Sequence, residues 1–423
     1  MEEINLTQYE LKLYFAKLEN GLELYVIPKN DINNVTATLV SKYGSNKIEF
    51  IPNNKKEYIK VPTGVAHFLE HKMFEQEDGL DPFEFFTNNG VDCNASTNYD
   101  VTSYYFSGTN KYEENLNYLL DYVQSPYFVK ESIEKEKGII TQELKMYLDD
   151  PAWALNDGLF KNTFNVFPQK NPIGGSIEDV NSTTVEDLYN CYNTFYHPSN
   201  LFLVVVGNVD KDTVFNLVKE NQDKKTFETQ KEIVTKEYNE EEHVALVYEE
   251  KKMEVVIPKF SKNYKIKINK ETDKEKLRKY TNYMLKTKFG ETSLFLEKLK
   301  EKKYINTNID FSVDDISDYL IINFEGETPK YNEVLKEIEN ELKDLTISIG
   351  DLERRKKMSR ASIVYLGDQV IALGSKLIGK VTFNIDYKRD EVKYINDLNI
   401  NEYKDYMKLI NFVNHSTFII LPK

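Results

Sequence analysis

The 423-residue sequence predicts an α+β protein of two homologous lobes, each a mainly antiparallel sheet packed by helices. Three observations lead there. The chain opens on a hairpin pattern: "YFAKLENGLELYVIP" alternates apolar and polar residues on both sides of Asn20-Gly21, a dipeptide that supplies positive φ at little cost. Segments with helical spacing then interleave with strand-like ones. Finally, the first half ends as the whole chain ends, on a helix followed by a strand: "TVEDLYNCYNTFYH" and "NLFLVVVG" match "INEYKDYMKLINFVNHSTFIILPK". Aligned without a gap, Leu188 faces Tyr403, Phe195 faces Ile410, and Val204 to Val206 face Ile419 to Leu421, an offset of 215 positions. Such a half-length period points to an internal repeat.

After the hairpin, "VTATLVSKYGS" reads as a strand. "VPTGVAHFLEHKMF" reads as a helix, with Thr63 as N-cap and Val65, Phe68, Leu69 and Met73 as its apolar face. "DPFEFFTNNG" is a short helix, with Pro82 near its start and Gly90 as a left-handed exit. "VDCNASTNYDVTSYYFSG" has strand character. Leu116, Leu119, Leu120 and Val123 recur at helical spacing, and a long helix is expected from about Glu131 to Tyr147. Residues 222–245 are polar and charged, without a sustained apolar face, and read as a connector. The expected division is therefore a first α+β lobe over 1–221, the connector over 222–245, and a second α+β lobe over 246–423.

Bulk properties narrow the function. A net charge of -14 argues against a nucleic-acid or anionic-membrane surface. The two cysteines, Cys93 and Cys191, build no disulfide framework and suit a reducing compartment. The N-terminus has no apolar core of the kind a signal peptide needs. The longest aliphatic-aromatic run, Leu201 to Val206, is far shorter than a membrane span. A cytoplasmic protein with neither nucleic-acid nor membrane partners is the expectation.

Only five histidines occur in the chain, and two stand in "GVAHFLEHKMFE". Residues four apart lie one turn above each other, so His67 and His71 project from one helix face and can grip one cation through neutral imidazole nitrogens, as Zn²⁺ prefers. Glu70 borders that face and can reach a water on the metal. This H-x-x-E-H order reverses the commoner H-E-x-x-H of zinc proteases. A hydrolytic zinc site takes a third protein ligand, and with no other histidine nearby a carboxylate is expected. "ESIEKEKGIITQELKMY" offers Glu131, Glu134, Glu136 and Glu143. Glu136 and Glu143 share a helical face with Ile140 and Tyr147, and two carboxylates stacked there are costly without a cation. On periodicity alone, either could be the ligand.

These residues resemble the pitrilysin/insulinase (M16) family of zinc peptidases, in which H-x-x-E-H is followed some seventy-odd residues later by a ligand glutamate, itself preceded by a second glutamate seven positions earlier. The resemblance implies His67, His71 and Glu143 as the ligands of one Zn²⁺ per chain. It further implies Glu70 as the general base that activates the water, and Glu136 as the carboxylate behind the ligands. "NGLELYVIPKN", "NASTNYDVTSYYF", "NPIGGSIEDVNSTTVEDL" and "FYHPSNLFLVVVGNV" resemble further family segments in the expected order. The implied fold is the family's half-clamshell, in its small bacterial branch. The implied activity is zinc-dependent endopeptidase action on peptides or a peptide or protein precursor. Asn94, Ala95, Ser96 and Thr97 then fall on an edge strand that takes the substrate as an added strand.

One departure bears on partners. Active family members carry an Arg and a Tyr seven positions apart in the second lobe, hydrogen-bonded to the substrate carbonyl. Here the places fall on Lys300 and Thr307 in "LEKLKEKKYINTNIDF". Lysine lacks the planar fork of arginine, and threonine is too short to replace tyrosine. The resemblance therefore implies a paralogous subunit lacking H-x-x-E-H that supplies the pair, with a homodimer as the other arrangement. Two rival functions stand beside the peptidase: an accessory processing factor of a protein-modification pathway, such as that of elongation factor P, and a non-catalytic structural relative of the fold.

Overall fold

The structure, a computed structural model, describes all of residues 1–423. Its strands are β1 (Glu2–Leu6), β2 (Leu11–Lys17), β3 (Glu23–Pro28), β4 (Val35–Ser41), β5 (Glu49–Ile51), β6 (Ile59–Lys60), β7 (Val91–Thr97), β8 (Thr102–Gly108), β9 (Leu201–Gly207), β10 (Val234–Thr235), β11 (Tyr248–Met253), β12 (Lys259–Lys267), β13 (Asp310–Ile316), β14 (Tyr319–Glu327) and β15 (His415–Pro422). Its helices are α1 (Val65–Lys72), α2 (Pro82–Asn88), α3 (Tyr112–Val123), α4 (Lys130–Asp149), α5 (Pro151–Thr163), α6 (Ile177–Ser182), α7 (Val185–Phe195), α8 (Lys211–Asp223), α9 (Lys274–Lys288), α10 (Leu294–Glu301), α11 (Tyr331–Glu341), α12 (Ile349–Gly367), α13 (Val370–Thr382), α14 (Glu391–Asp397) and α15 (Ile400–Met407). No single helix is long and apolar enough to cross a membrane.

The α+β reading holds, and the repeat extends further than the sequence showed. The larger sheet runs β1-β2-β3-β9-β4-β8-β7 and the second β11-β15-β12-β14-β13. The last five strands of the first match the second one for one. β3 pairs with β9 in parallel as β11 does with β15, and the following pairs are antiparallel in both. β9 is buried along its whole length, which explains its uninterrupted apolar run.

The two compact units are 1–144 with 172–237 and 361–392, and 145–171 with 238–360 and 393–423. They differ from the expected contiguous lobes 1–221 and 246–423 by an exchange of helices. α13 lies in the first unit, where Val370, Leu373, Leu377 and Val381 close over Tyr25, Ile27, Val40, Phe202, Val204 and Val206. α5 lies in the second, where Ala154 and Leu155 cover Met253, Phe418 and Ile420. An apolar stripe shows that a helix must be covered, not which sheet covers it.

The stretch expected as a bare connector is also engaged. β10 pairs with β5, and Glu240 forms a fully buried ion pair with Lys265 on β12, at 2.7 Å. The Glu240 carboxylate further accepts the backbone N–H groups of Asn165, Val166 and Phe167, each at 2.8 Å. With the Asn165 side-chain amide at 3.3 Å, five donors on one carboxylate offset much of the desolvation cost.

Candidate metal centre

α1 starts abruptly, and the reason is two glycines. Gly64 occupies the N-cap at φ +82°, with no side-chain cap, where Thr63 was expected; the Thr63 hydroxyl instead donates to the Asp179 carboxylate of α6. A Cβ on Gly64 would stand 2.2 Å from the Gly174 carbonyl oxygen, and one on Gly175, at φ +75°, 2.4 Å from that of Thr63. Two backbone segments touch here, which only glycine permits. The paired glycines of "NPIGGS" are the sequence signal that another backbone lies against it.

From that start, Phe68 and Leu69 are buried without exposure, which turns His67, Glu70 and His71 to the opposite flank. The two imidazole centroids lie 4.7 Å apart. α4 buries Ile133, Ile140 and Leu144 and brings its carboxylates to α1. Glu143 Oε2 lies 3.8 Å from His67 Nε2 and 3.4 Å from His71 Nε2. Glu136 Oε1 lies 3.0 Å from His71 Nδ1. Glu136 therefore fixes the His71 ring through Nδ1 and leaves Nε2 facing Glu143, the arrangement that orients a metal-ligating imidazole.

His67, His71 and Glu143 each offer one donor atom, all within 4.8 Å of one another. Two nitrogens and a carboxylate oxygen, each about 2.1 Å from a tetrahedral zinc, would stand roughly 3.4 Å apart, close to the two separations observed. A buried nitrogen, His67 Nδ1, has no hydrogen-bond partner, so no hydrogen bond at that end opposes a neutral ring donating through Nε2. The donor set fits zinc.

Burial, with some repulsion from His71, pushes His67 down to about 4, so its ring is neutral and ready to ligate. Burial also works against the charged form of His71, but hydrogen bonds and charge from Glu136 and Glu143 overcome it and lift His71 to about 9. Two carboxylates thus collect positive charge at this point. Burial raises Glu70, opposed by its hydrogen bond from Thr97.

Thr97 ends β7, which pairs only with β8 and leaves its other edge free. Its hydroxyl donates to Glu70 Oε2 at 2.5 Å, a role beyond the backbone pairing expected of it. Cys93, Ala95 and Thr97 are half-buried along this strand, while Asn94 and Ser96 are exposed. Asn94 Oδ1 accepts the Ala95 N–H and Ser96 bonds Ser103. Lys300 and Thr307 are both exposed on the second unit, with Lys300 donating to Asn308.

Comparison with known proteins identifies the family. The family model "Insulinase (Peptidase family M16)" matches residues 59–176, and "Peptidase M16 inactive domain" matches 182–358. The zinc protease YmfH of Bacillus subtilis is 39% identical over 377 residues, spanning 88% of this chain and 86% of that one. The crystal structure of an M16-like peptidase from Alicyclobacillus acidocaldarius superposes with a TM-score of 0.91 at 27% identity, covering 98% of this chain and 99% of that one. The periplasmic protease PqqL of Escherichia coli shares the fold, with a TM-score of 0.72 at 19% identity; 97% of this chain covers 48% of that one. The chain belongs to the insulinase family of metallopeptidases, peptidase family M16.

Proposed function

We propose that this protein is a zinc-dependent endopeptidase in which His67, His71 and Glu143 hold one zinc and Glu70 is the general base. The convergence of those three donors within 4.8 Å, with Glu70 one residue before His71, carries the reading. When bound there, zinc supplies Lewis acidity toward a carbonyl and lowers the pKa of water. Glu70 takes the proton of the attacking water on a carboxylate oxygen and returns it to the leaving nitrogen. Its burial, which raises its pKa, favours the protonated form needed for that return. The Thr97 hydroxyl aims the carboxylate, and Glu136 keeps the His71 ring from turning. The free edge of β7 receives the peptide as an added strand, so affinity comes from backbone pairing with little sequence preference.

Replacing Glu70 with glutamine removes the base without removing a ligand. The expected result is a protein that retains its zinc and loses about 10³-fold in peptide turnover. Turnover near the unmodified rate contradicts the assignment.

A second subunit belongs to this proposal. Lys300 and Thr307 cannot supply the bidentate and phenolic hydrogen bonds expected of an Arg and Tyr pair. A paralogous subunit without H-x-x-E-H supplies that pair; the other arrangement is a homodimer, which works without the pair. Purification of the protein with its bound partners, followed by peptide-cleavage assays with and without them, decides: equal rates for the isolated chain and the mixture defeat the two-subunit arrangement.

A further inference from the structure

Lys72 follows the second ligand histidine, and its side chain is fully buried. Its ammonium donates to the Glu75 carboxylate just beyond the end of α1 and to Ser132 Oγ on α4 at 2.9 Å. Ser132 in turn donates to the Val129 carbonyl at 3.2 Å, which ties it to the segment leading into α4. Peptide hydrolysis makes no use of this lysine. Burying an ammonium costs several kcal/mol before pairing, and a methionine would fill the same volume without that cost.

The placement of the contact supplies the reason. On α4, residues 132, 136 and 143 are separated by 4 and 7 positions, so their side chains share a face. Each meets a residue of α1. Glu143 meets His67 and His71, Glu136 meets His71 Nδ1, and Ser132 meets Lys72. Polar contacts thus follow one another along the two helices. The apolar contacts of Ile133 and Ile140 hold α4 down, but apolar burial is non-directional and tolerates an axial slide that a hydrogen bond resists. Metal ligands tolerate displacements of only about 0.2 Å.

We infer that Lys72 and Ser132 are positioning residues: their hydrogen bond fixes the register of α4 against α1 and so sets the zinc affinity of the centre. The inference rests on the reading that His67, His71 and Glu143 hold zinc. It assigns these two residues no contact with metal or substrate.

The test uses Ser132, because Ser132→Ala removes the bridge while Lys72 keeps Glu75. Zinc dissociation constants would be measured by chelator competition on the full chain, together with the melting temperature of the metal-free protein. Ser132→Ala is expected to weaken zinc about tenfold, within the range found when groups supporting metal ligands are removed. Ser132→Thr, which keeps the hydroxyl, should restore the unmodified affinity, and the metal-free melting temperature of both should stay at that of the unmodified protein. Lys72→Met should weaken zinc at least as much. Unchanged affinity in Ser132→Ala overturns the inference, and so does a loss that Ser132→Thr fails to restore. An unmodified chain with no measurable zinc affinity overturns the metal-site reading as well, whereas tight binding with an unchanged ratio overturns the positioning role alone.

Discussion

The two units repeat one sheet topology, yet their corresponding helix pairs meet through opposite chemistry. In the first unit, α4 presents Glu136 and Glu143 to the imidazoles of α1. In the second, the helix in the corresponding place, α12, presents cations. Arg355 donates to the Lys286 carbonyl and Thr287 hydroxyl in the last turn of α9, and Lys356 donates to the carbonyls of Asn396 and Leu398. Arginine and lysine satisfy carbonyls that a helix end leaves unpaired. They also exclude a divalent cation. The same scaffold therefore carries a cluster of imidazoles and carboxylates in one unit and cations bound to carbonyls in the other, and the difference lies in side chains, not in the backbone.

The sharpest way to break that contrast is to give α4 the charge of α12. Glu143→Lys removes a ligand and places an ammonium between the two histidines. It should abolish measurable zinc binding and lower peptide turnover by more than about 10³-fold, as read by metal analysis and a peptide assay. Retained zinc would show that the third ligand lies elsewhere.

The second unit holds a fully buried ion pair between Lys265 and Glu240. Lys265→Met leaves Glu240 buried with neutral donors alone, three backbone N–H groups and the Asn165 amide, and should cost about 3–5 kcal/mol in denaturant unfolding. The zinc affinity of the folded protein should not change, because His67, His71 and Glu143 all belong to the first unit. A parallel loss of zinc affinity would couple the two units in a way this contrast does not contain.

Gly175→Ala tests the glycine contact behind α1. The new Cβ meets the Thr63 carbonyl at 2.4 Å in a left-handed conformation, and about 1–3 kcal/mol of destabilisation is expected. Zinc affinity should fall with it, since the backbone before His67 must shift. An alanine variant of normal stability and affinity would remove the glycine pair from the account.

The smallest effect concerns Asp157 on α5, which burial pushes up to about 6, with Lys251 weakly opposing. A folded-state pKa above the unfolded value of about 3.9 means the native state holds the proton more tightly. Stability then falls as pH rises from about 4 to about 6, and the cost persists above that window. Asp157→Asn should therefore raise stability above pH 6 by about 1 kcal/mol after allowance for solvent screening, and change little near pH 4. A gain that is equal at both pH values would point to packing, not ionisation.

Much of the site was legible in the sequence because it is local. The spacing of His67, Glu70 and His71 needs only a helix, and the Glu136–Glu143 face needs only a second one. Periodicity could not choose between those two glutamates; the structure separates them, with Glu136 on Nδ1 of His71 and Glu143 beside both Nε2 atoms. The start of α1 was misread at Thr63 because a cap made by backbone against backbone leaves no side-chain signature. Thr97 on Glu70, Ser132 on Lys72 and Glu240 under Lys265 pair residues 27, 60 and 25 positions apart, beyond what local patterns encode. The exchange of α5 and α13 was hidden for the same reason.

The central claim is that one zinc sits among His67, His71 and Glu143. An anomalous difference map collected at the zinc absorption edge, from crystals of the protein purified without chelators, tests it most directly. The expected result is a single strong peak within bonding distance of Nε2 of both histidines and of the Glu143 carboxylate. A map with no peak there, or with its zinc bound by other residues, contradicts the account.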